Sequence, residues 1–149
     1  IEKMQKSAQF NQGFATVENL AACILDMAYH NRTTTDKITD VDQFENDIMK
    51  SIGIIPQIPP RYRSTYFKHP FTGGYTAGYY SYLWSQVLDA DAFGAFIETG
   101  DVFNKEVALA FLQNILERGG SEEPMDLYVK FRGSEPSPDA MMKRNGMKK

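Results

Sequence analysis

The sequence predicts an all-α fold, an irregular bundle of several helices. Apolar residues recur every three or four positions along most of the chain, and clusters of Gly, Pro and Asn separate these stretches. The 149 residues are 42% hydrophobic and 23% charged, which is the composition of a folded globular chain with enough apolar side chains for one core. We therefore expect one helical unit over residues 1–149.

Two features of the composition narrow the choice of partners. The net charge of −3, without a long basic stripe, argues against nucleic acid as a partner. No run of 18 apolar residues is present, so the sequence predicts no membrane span. The single cysteine, Cys23, lies in an apolar helical pattern and is predicted to be a small core residue.

The first half of the chain shows two amphipathic helices separated by a polar loop over residues 31–40. Asp40 followed by Gln43 resembles a capping box at the start of the second helix, and Gly53 is placed to end it. The first apolar face is predicted to consist of Phe14, Val17, Leu20, Ala21, Ile24, Leu25 and Ala28, and the second of Val41, Phe44, Ile48 and Ile52.

The middle of the chain is predicted to be irregular. Three prolines exclude a helix from residues 54–60, and the following aromatic and basic residues allow one short strand near residues 60–68. His69 to Gly74 is predicted to be a loop, and a helix is expected from about Tyr75 to Ile97. Asp89 and Asp91 on that helix are predicted to be solvated or to act as caps.

The last third of the chain is predicted to form three shorter helices. One covers about residues 103–118, ends at Gly119 and Gly120, and has Phe103, Val107, Ala110, Phe111 and Ile115 on one side. Ser121 or Glu123 can cap the next helix, and Ser137 followed by Pro138 marks the start of the last one.

A segment rich in Gly and Tyr carries the strongest chemical signal. On a helix from Tyr75, the phenols of Tyr75, Tyr79 and Tyr82 share one face, and His69 lies on the loop before them. Gly73 and Gly74 allow a ligand to approach the backbone closely. Protonated phenols and an imidazole can donate hydrogen bonds to a developing oxyanion, as acyl transfer requires. The same spacing also suits simple core packing, and both interpretations stay open on the residues alone.

Four stretches of the sequence resemble the thimet-oligopeptidase family of zinc metallopeptidases, and within it the peptidyl-dipeptidase branch. They are residues 10–18, Arg61–Phe67, His69–Trp84 with residues 88–93, and Ile115–Ser121 with Phe131–Gly133. The resemblance covers essentially the whole chain and corresponds to the C-terminal lobe of a longer, mostly helical peptidase. The start at Ile1, which already reads as mid-helix, fits a piece of a longer chain.

The resemblance implies a zinc ion bound by a His-Glu-x-x-His motif and a downstream Glu, upstream of the region present here. The sequence contains no such motif. We therefore expect no metal ligand and no bound cofactor in these residues, and no peptide hydrolysis by the fragment alone. The implied partners are an oligopeptide substrate and the rest of the parent chain, with its N-terminal lobe and zinc-site helices.

The resemblance also implies roles for individual residues. His69, Tyr82 and Tyr75 correspond to catalytic hydrogen-bond donors, whereas Gly73, Gly74 and Tyr79 correspond to substrate-binding positions of the loop and helix. By charge alone, Arg61 and Arg63 could anchor a substrate carboxylate.

The predicted function is a cytoplasmic zinc-dependent peptidase that releases dipeptides from the C-terminus of oligopeptides. An endo-acting oligopeptidase of the same family is the near alternative. A non-catalytic helical module that binds peptides is the alternative from another class.

Overall fold

The computed structural model describes residues 1–147, apart from the side chain of Gln5. It divides between Leu83 and Trp84 into two compact units. The prediction of a single unit over residues 1–149 is not tested by this division, and it stays a prediction.

The described residues form α-helices and short helical turns, without a strand, which confirms the all-α prediction. Within this part of the chain, no helix has both the length and the apolar character needed to cross a membrane. The helices are α1 (Glu2–Ala8), α2 (Gln12–His30), α3 (Val41–Ser51), α4 (His69–Thr72), α5 (Ser81–Glu98), α6 (Lys105–Phe111), α7 (Pro124–Arg132) and α8 (Asp139–Arg144).

Helix α2 is where the sequence predicts it, but it buries only part of the predicted face, including Ala21 and Leu25. Ala22 and Asp26 are among its buried residues, whereas Val17 and Ile24 of the predicted face are 48% and 38% exposed. The reason is that α3 and the segment around Tyr79 pack on the Ala22 side of the helix. The core of the first unit consists of Ala21, Ala22, Cys23, Leu25, Met49, Phe67 and Tyr79.

Helix α3 begins and ends as predicted. The Asp40 carboxylate accepts a hydrogen bond from the Gln43 amide at 2.9 Å, which satisfies one free N–H of the first turn. The Gln43 side chain donates to Asp47 at 2.8 Å, so only the Asp40 half of the capping box forms. Gly53 follows the helix with φ of +78°, a conformation that favours glycine.

The strand predicted near residues 60–68 is absent from the described structure. Residues Ser64–Tyr66 form a single 3₁₀ turn instead. The buried carboxylate of Glu45 causes this bend, because it accepts the Ser64 amide at 2.5 Å and pairs with Arg63 at 2.5 Å. These contacts use polar groups that a strand would need for pairing.

The long helix predicted from Tyr75 starts six residues later, at Ser81, in the structure. Residues 76–80 form turns, and Ala77 has a left-handed backbone with φ of +51°, which a helix interior excludes. The Asp26 carboxylate holds these turns by accepting the amides of Ala77 and Tyr79. The loop predicted before them contains one helical turn, α4, followed by Gly73 and Gly74.

The second unit contains most of α5 and the three shorter helices. Asn104 caps α6 by accepting the amides of Glu106 and Val107, and a π-helical turn over Leu112–Leu116 continues it. Ser137 accepts the Asp139 amide at 3.2 Å at the start of α8. The periodicity therefore predicts the number and order of these helices correctly.

Asp91 contradicts the prediction of a solvated or capping residue. It is 7% exposed and accepts a hydrogen bond from the Tyr128 hydroxyl at 2.6 Å. Arg132 lies 3.4 Å from its carboxylate and also grips Glu98 with two guanidinium nitrogens. A buried acid is tolerated here because these partners replace water.

Candidate active site

The first unit contains an aromatic cluster that brings the predicted site residues together. We use this name for Tyr62, Phe67, His69, Tyr75, Tyr79 and Tyr82, whose rings form an unbroken series of contacts. The His69 ring lies 5.9 Å from that of Tyr75 and 5.7 Å from that of Tyr79. His69, Tyr75, Tyr79 and Tyr82 are thus neighbours, as the sequence predicts, although Tyr75 and Tyr79 lie outside the helices.

Tyr75 and Tyr82 form the accessible pair of this cluster. Their rings stack at 5.2 Å with an angle of 20° between the planes, and Tyr82 is 39% exposed. A hydrogen bond with the Tyr75 hydroxyl raises the pKa of Tyr82 above its usual value. The Tyr82 hydroxyl therefore keeps its proton throughout the neutral pH range and is available as a donor.

Tyr79 occupies a different position from the other two phenols. It is 5% exposed and packs edge-on against Phe67 at 5.1 Å. Burial raises the pKa of its phenol, and a hydrogen bond with Tyr62 adds to the effect. In this conformation Tyr79 supports the cluster from inside the core, and direct contact with a substrate stays a prediction.

Tyr62 joins the cluster, although the sequence analysis does not include it among the site residues. Its ring stacks on Phe67 at 4.9 Å and lies 5.5 Å from that of His69. A hydrogen bond with Arg61 lowers the pKa of Tyr62, and a hydrogen bond with Tyr79 lowers it further. The sequence signal for this stack is the presence of two aromatic residues, Tyr62 and Phe67, in the segment just before His69.

The glycines before Tyr75 shape the loop in different ways. A Cβ atom on Gly73 would lie 3.3 Å from the carbonyl oxygen of His69, so this position is sterically tight. Gly74 has open space around it, but its φ of +76° favours glycine. Together they let the chain pass from the His69 turn to Tyr75.

Asp26 is a second residue that the sequence analysis does not identify. Its side chain is fully buried beneath the turn that leads to Tyr79, and His30 lies 2.8 Å from it. An acid within the apolar stretch Ala21–Ala28 was the signal for a buried partner. His30 is the last residue of α2.

The two arginines offered as carboxylate anchors already have partners within the unit. Arg63 pairs with Glu45 at 2.5 Å and with Asp42 at 3.2 Å. Arg61 lies 3.5 Å from Glu18 and above the Tyr62 ring. Arg63 therefore shapes the 3₁₀ turn in this structure. Its guanidinium is already paired, so binding a substrate carboxylate would require it to leave Glu45 or Asp42.

The residues present do not fit the zinc ion that the family resemblance implies. Within residues 1–147, no three His, Cys, Asp or Glu side chains come together in a way that could hold a metal ion. The chemistry derived from this chain therefore concerns its hydrogen-bond donors alone.

A comparison with protein families decides where the chain belongs, because the model of peptidase family M3 matches residues 1–147. The chain belongs to peptidase family M3. This membership confirms the metallopeptidase family suggested by the sequence.

Several curated relatives in family M3 match almost the whole chain. It is 42% identical to the dipeptidyl carboxypeptidase of Escherichia coli, over 98% of this chain and 21% of that relative. It is also 42% identical to the oligopeptidase A of E. coli, over 99% of this chain and 22% of the relative. Saccharolysin of Saccharomyces cerevisiae is 28% identical over 99% of this chain and 20% of the relative. The chain thus spans about a fifth of the length of these relatives.

Proposed function

We propose that this chain supplies the substrate-binding and oxyanion-stabilising part of a zinc metallopeptidase that releases dipeptides from the C-terminus of oligopeptides. Membership of family M3 supports a peptidase, and similarity to dipeptidyl carboxypeptidases supports this cleavage specificity. The zinc ion would be bound by residues outside this chain. The cytoplasmic location of the protein and the inactivity of this chain alone stay predictions.

The stacked Tyr75–Tyr82 pair is the observation that carries this proposal. Core tyrosines normally have buried rings and local hydroxyl partners, as Tyr79 does here. The Tyr82 ring is instead 39% exposed, and its hydroxyl interacts with a second phenol. Such an arrangement presents hydrogen-bond donors at a surface where a peptide carbonyl can reach them.

The pair can serve a peptide by exchanging hydrogen-bond partners. Without substrate, the Tyr82 hydroxyl interacts with that of Tyr75, and this interaction raises the pKa of Tyr82. With a peptide bound, the same O–H would turn to the scissile carbonyl oxygen, and this bond strengthens as negative charge develops. His69, 5.9 Å from Tyr75 between ring centres, would supply a further donor beside them.

Replacement of Tyr82 by Phe in the full-length protein tests the proposal. The ring stays and the donor is lost, so kcat should fall about 10²–10³-fold while KM changes little. Tyr80→Phe is the matched control, because Tyr80 belongs to the same segment, is 52% exposed and makes no ring contact with the cluster. Wild-type kcat in Tyr82→Phe would refute the oxyanion role.

An endo-acting oligopeptidase is the second candidate, because oligopeptidase A of E. coli is as similar to this chain as the dipeptidyl carboxypeptidase. Mass spectrometry of the products from one defined peptide separates the two. Successive release of C-terminal dipeptides supports the first candidate, and internal cuts with longer fragments support the second. No cleavage at all by the full-length protein would favour a peptide-binding module.

A further inference from the structure

Asp26 is a fully buried acid whose carboxylate oxygens both have partners. Oδ1 accepts the Ala77 amide at 3.2 Å, and Oδ2 accepts the Tyr79 amide at 2.9 Å. The Nδ1 atom of His30 lies 2.8 Å from Oδ1. The same Nδ1 atom lies 2.9 Å from the backbone carbonyl oxygen of Asp26. Both neighbouring oxygens are acceptors, so Nδ1 carries the proton.

These hydrogen bonds connect α2 to a turn that lies more than 50 residues further along the chain. The turn contains Ala77 at φ of +51°, a left-handed conformation that is unfavourable for a non-glycine residue and needs outside support. Among the described residues, one other side-chain hydrogen bond to residues 76–80 is seen, from Thr76 Oγ1 to the Pro70 carbonyl at 2.8 Å. Asp26 therefore supplies two of the three side-chain hydrogen bonds of the turn.

The turn determines where the phenols point. Without it, a helix running from Tyr75 would place Tyr75, Tyr79 and Tyr82 on one continuous face. In the structure, the backbone bends at Ala77, so the Tyr79 ring enters the core and Tyr82 stacks on Tyr75 at the surface. The Tyr75–Tyr82 pair thus depends on the turn and, through it, on Asp26.

We propose that Asp26 is a positioning residue that sets the Tyr82 hydroxyl for catalysis by clamping the amides of Ala77 and Tyr79. This inference rests on the proposed function, since it assumes that Tyr82 stabilises the oxyanion. Asp26 itself touches no substrate. His30 holds the carboxylate in place from the end of α2.

A double-mutant cycle in the full-length protein tests this role. Asp26→Asn keeps the size of the side chain but turns an N–H₂ group toward one of the two backbone N–H groups, so one of the two clamping hydrogen bonds is lost. We expect kcat to fall roughly 10–100-fold, since small displacements of catalytic groups have effects of this size, with KM little changed. In the Tyr82→Phe background the same substitution should lower kcat less than about threefold, because the donor it positions is already gone.

Asp91→Asn is the matched control for damage to the fold. It neutralises another buried acid, one bound to Tyr128 in the second unit and not to the turn. Its effect on kcat should be the same with and without the Tyr82 hydroxyl. If Asp26→Asn does not fold, His30→Gln replaces it, since the His30 side chain is 19% exposed and its loss removes the Nδ1–H hydrogen bond that fixes the Asp26 carboxylate. A smaller effect of the same kind is then expected.

The outcomes separate this inference from the proposed function. Equal effects of Asp26→Asn, or of His30→Gln in its place, in both backgrounds overturn the positioning role and leave the function of Tyr82 standing. Wild-type kcat in Tyr82→Phe alone overturns both. A clear loss in the Tyr82 background that largely disappears in the Phe background supports the inference.

Discussion

The Tyr82 hydroxyl is the residue-scale centre of the proposed chemistry. Its hydrogen bond with Tyr75 raises its pKa above the ordinary value of 10. The protonated form, which is the donor, therefore persists to higher pH than in an isolated phenol. Activity that depends on this proton should decline only on the strongly alkaline side.

Tyr75→Phe should move that alkaline decline of kcat to lower pH. The interaction with the Tyr75 hydroxyl raises the pKa of Tyr82, so removing that hydroxyl lowers this pKa toward 10, and deprotonation starts at lower pH. A pH–rate profile of the full-length protein measures the shift, with Tyr80→Phe as the reference for loss of an uninvolved phenol. If Tyr75→Phe keeps a measurable kcat that declines at the same alkaline pH as the wild type, deprotonation of Tyr82 does not cause the decline.

At the residue scale, the sequence predicts which side chains lie close together better than it predicts their geometry. His69, Tyr75 and Tyr82 could be selected because donors of this kind cluster beside flexible glycines. The burial of Tyr79 and the role of Asp26 could not, because both depend on a contact between residues more than 50 positions apart. Periodicity carries no information about such pairings.

At the element scale, hydrogen bonds from buried or capping acids decide where helices begin. Asp40 starts α3 at the position that the capping pattern predicts, because the cap lies within four residues of sequence. Asp26 on α2 accepts the Tyr79 amide, and α5 begins only at Ser81. Glu45 on α3 accepts the Ser64 amide, and a 3₁₀ turn forms where a strand is predicted. Both acids act from helices that are distant in the sequence. Local signals are therefore sufficient for local caps only.

Asp40→Ala should weaken the first turn of α3. Loss of the cap costs about 1 kcal/mol of local stability, so the amide of Gln43 should exchange with solvent about fivefold faster in the full-length protein. Hydrogen exchange followed by mass spectrometry measures this change. Asp40→Asn keeps a capping oxygen and should exchange at close to the wild-type rate. Equal acceleration in both variants would show that charge, and not the cap, stabilises the turn.

At the scale of the whole molecule, α2 exposes several apolar side chains, and the chain spans about a fifth of the length of its relatives. Phe14 and Val17 are 52% and 48% exposed, and with Ile54 and Pro60 they line an apolar groove of about 250 Å³ in the first unit. The sequence pattern identifies this face as apolar and assigns it to the core. Only the packed structure shows that part of this face, Ala21 and Leu25, is buried while Phe14 and Val17 stay exposed.

The most direct measurement of the central claim compares inhibitor and substrate affinities in the full-length protein. A phosphinic peptide carries a charged oxygen on a tetrahedral centre and so resembles the intermediate, whereas an uncleaved peptide analogue resembles the substrate. Tyr82→Phe should weaken phosphinic-peptide binding by about the factor by which it lowers kcat/KM, and leave the Kd of the substrate analogue nearly unchanged. Unchanged phosphinic-peptide binding with weaker substrate binding would contradict the claim that Tyr82 stabilises the oxyanion.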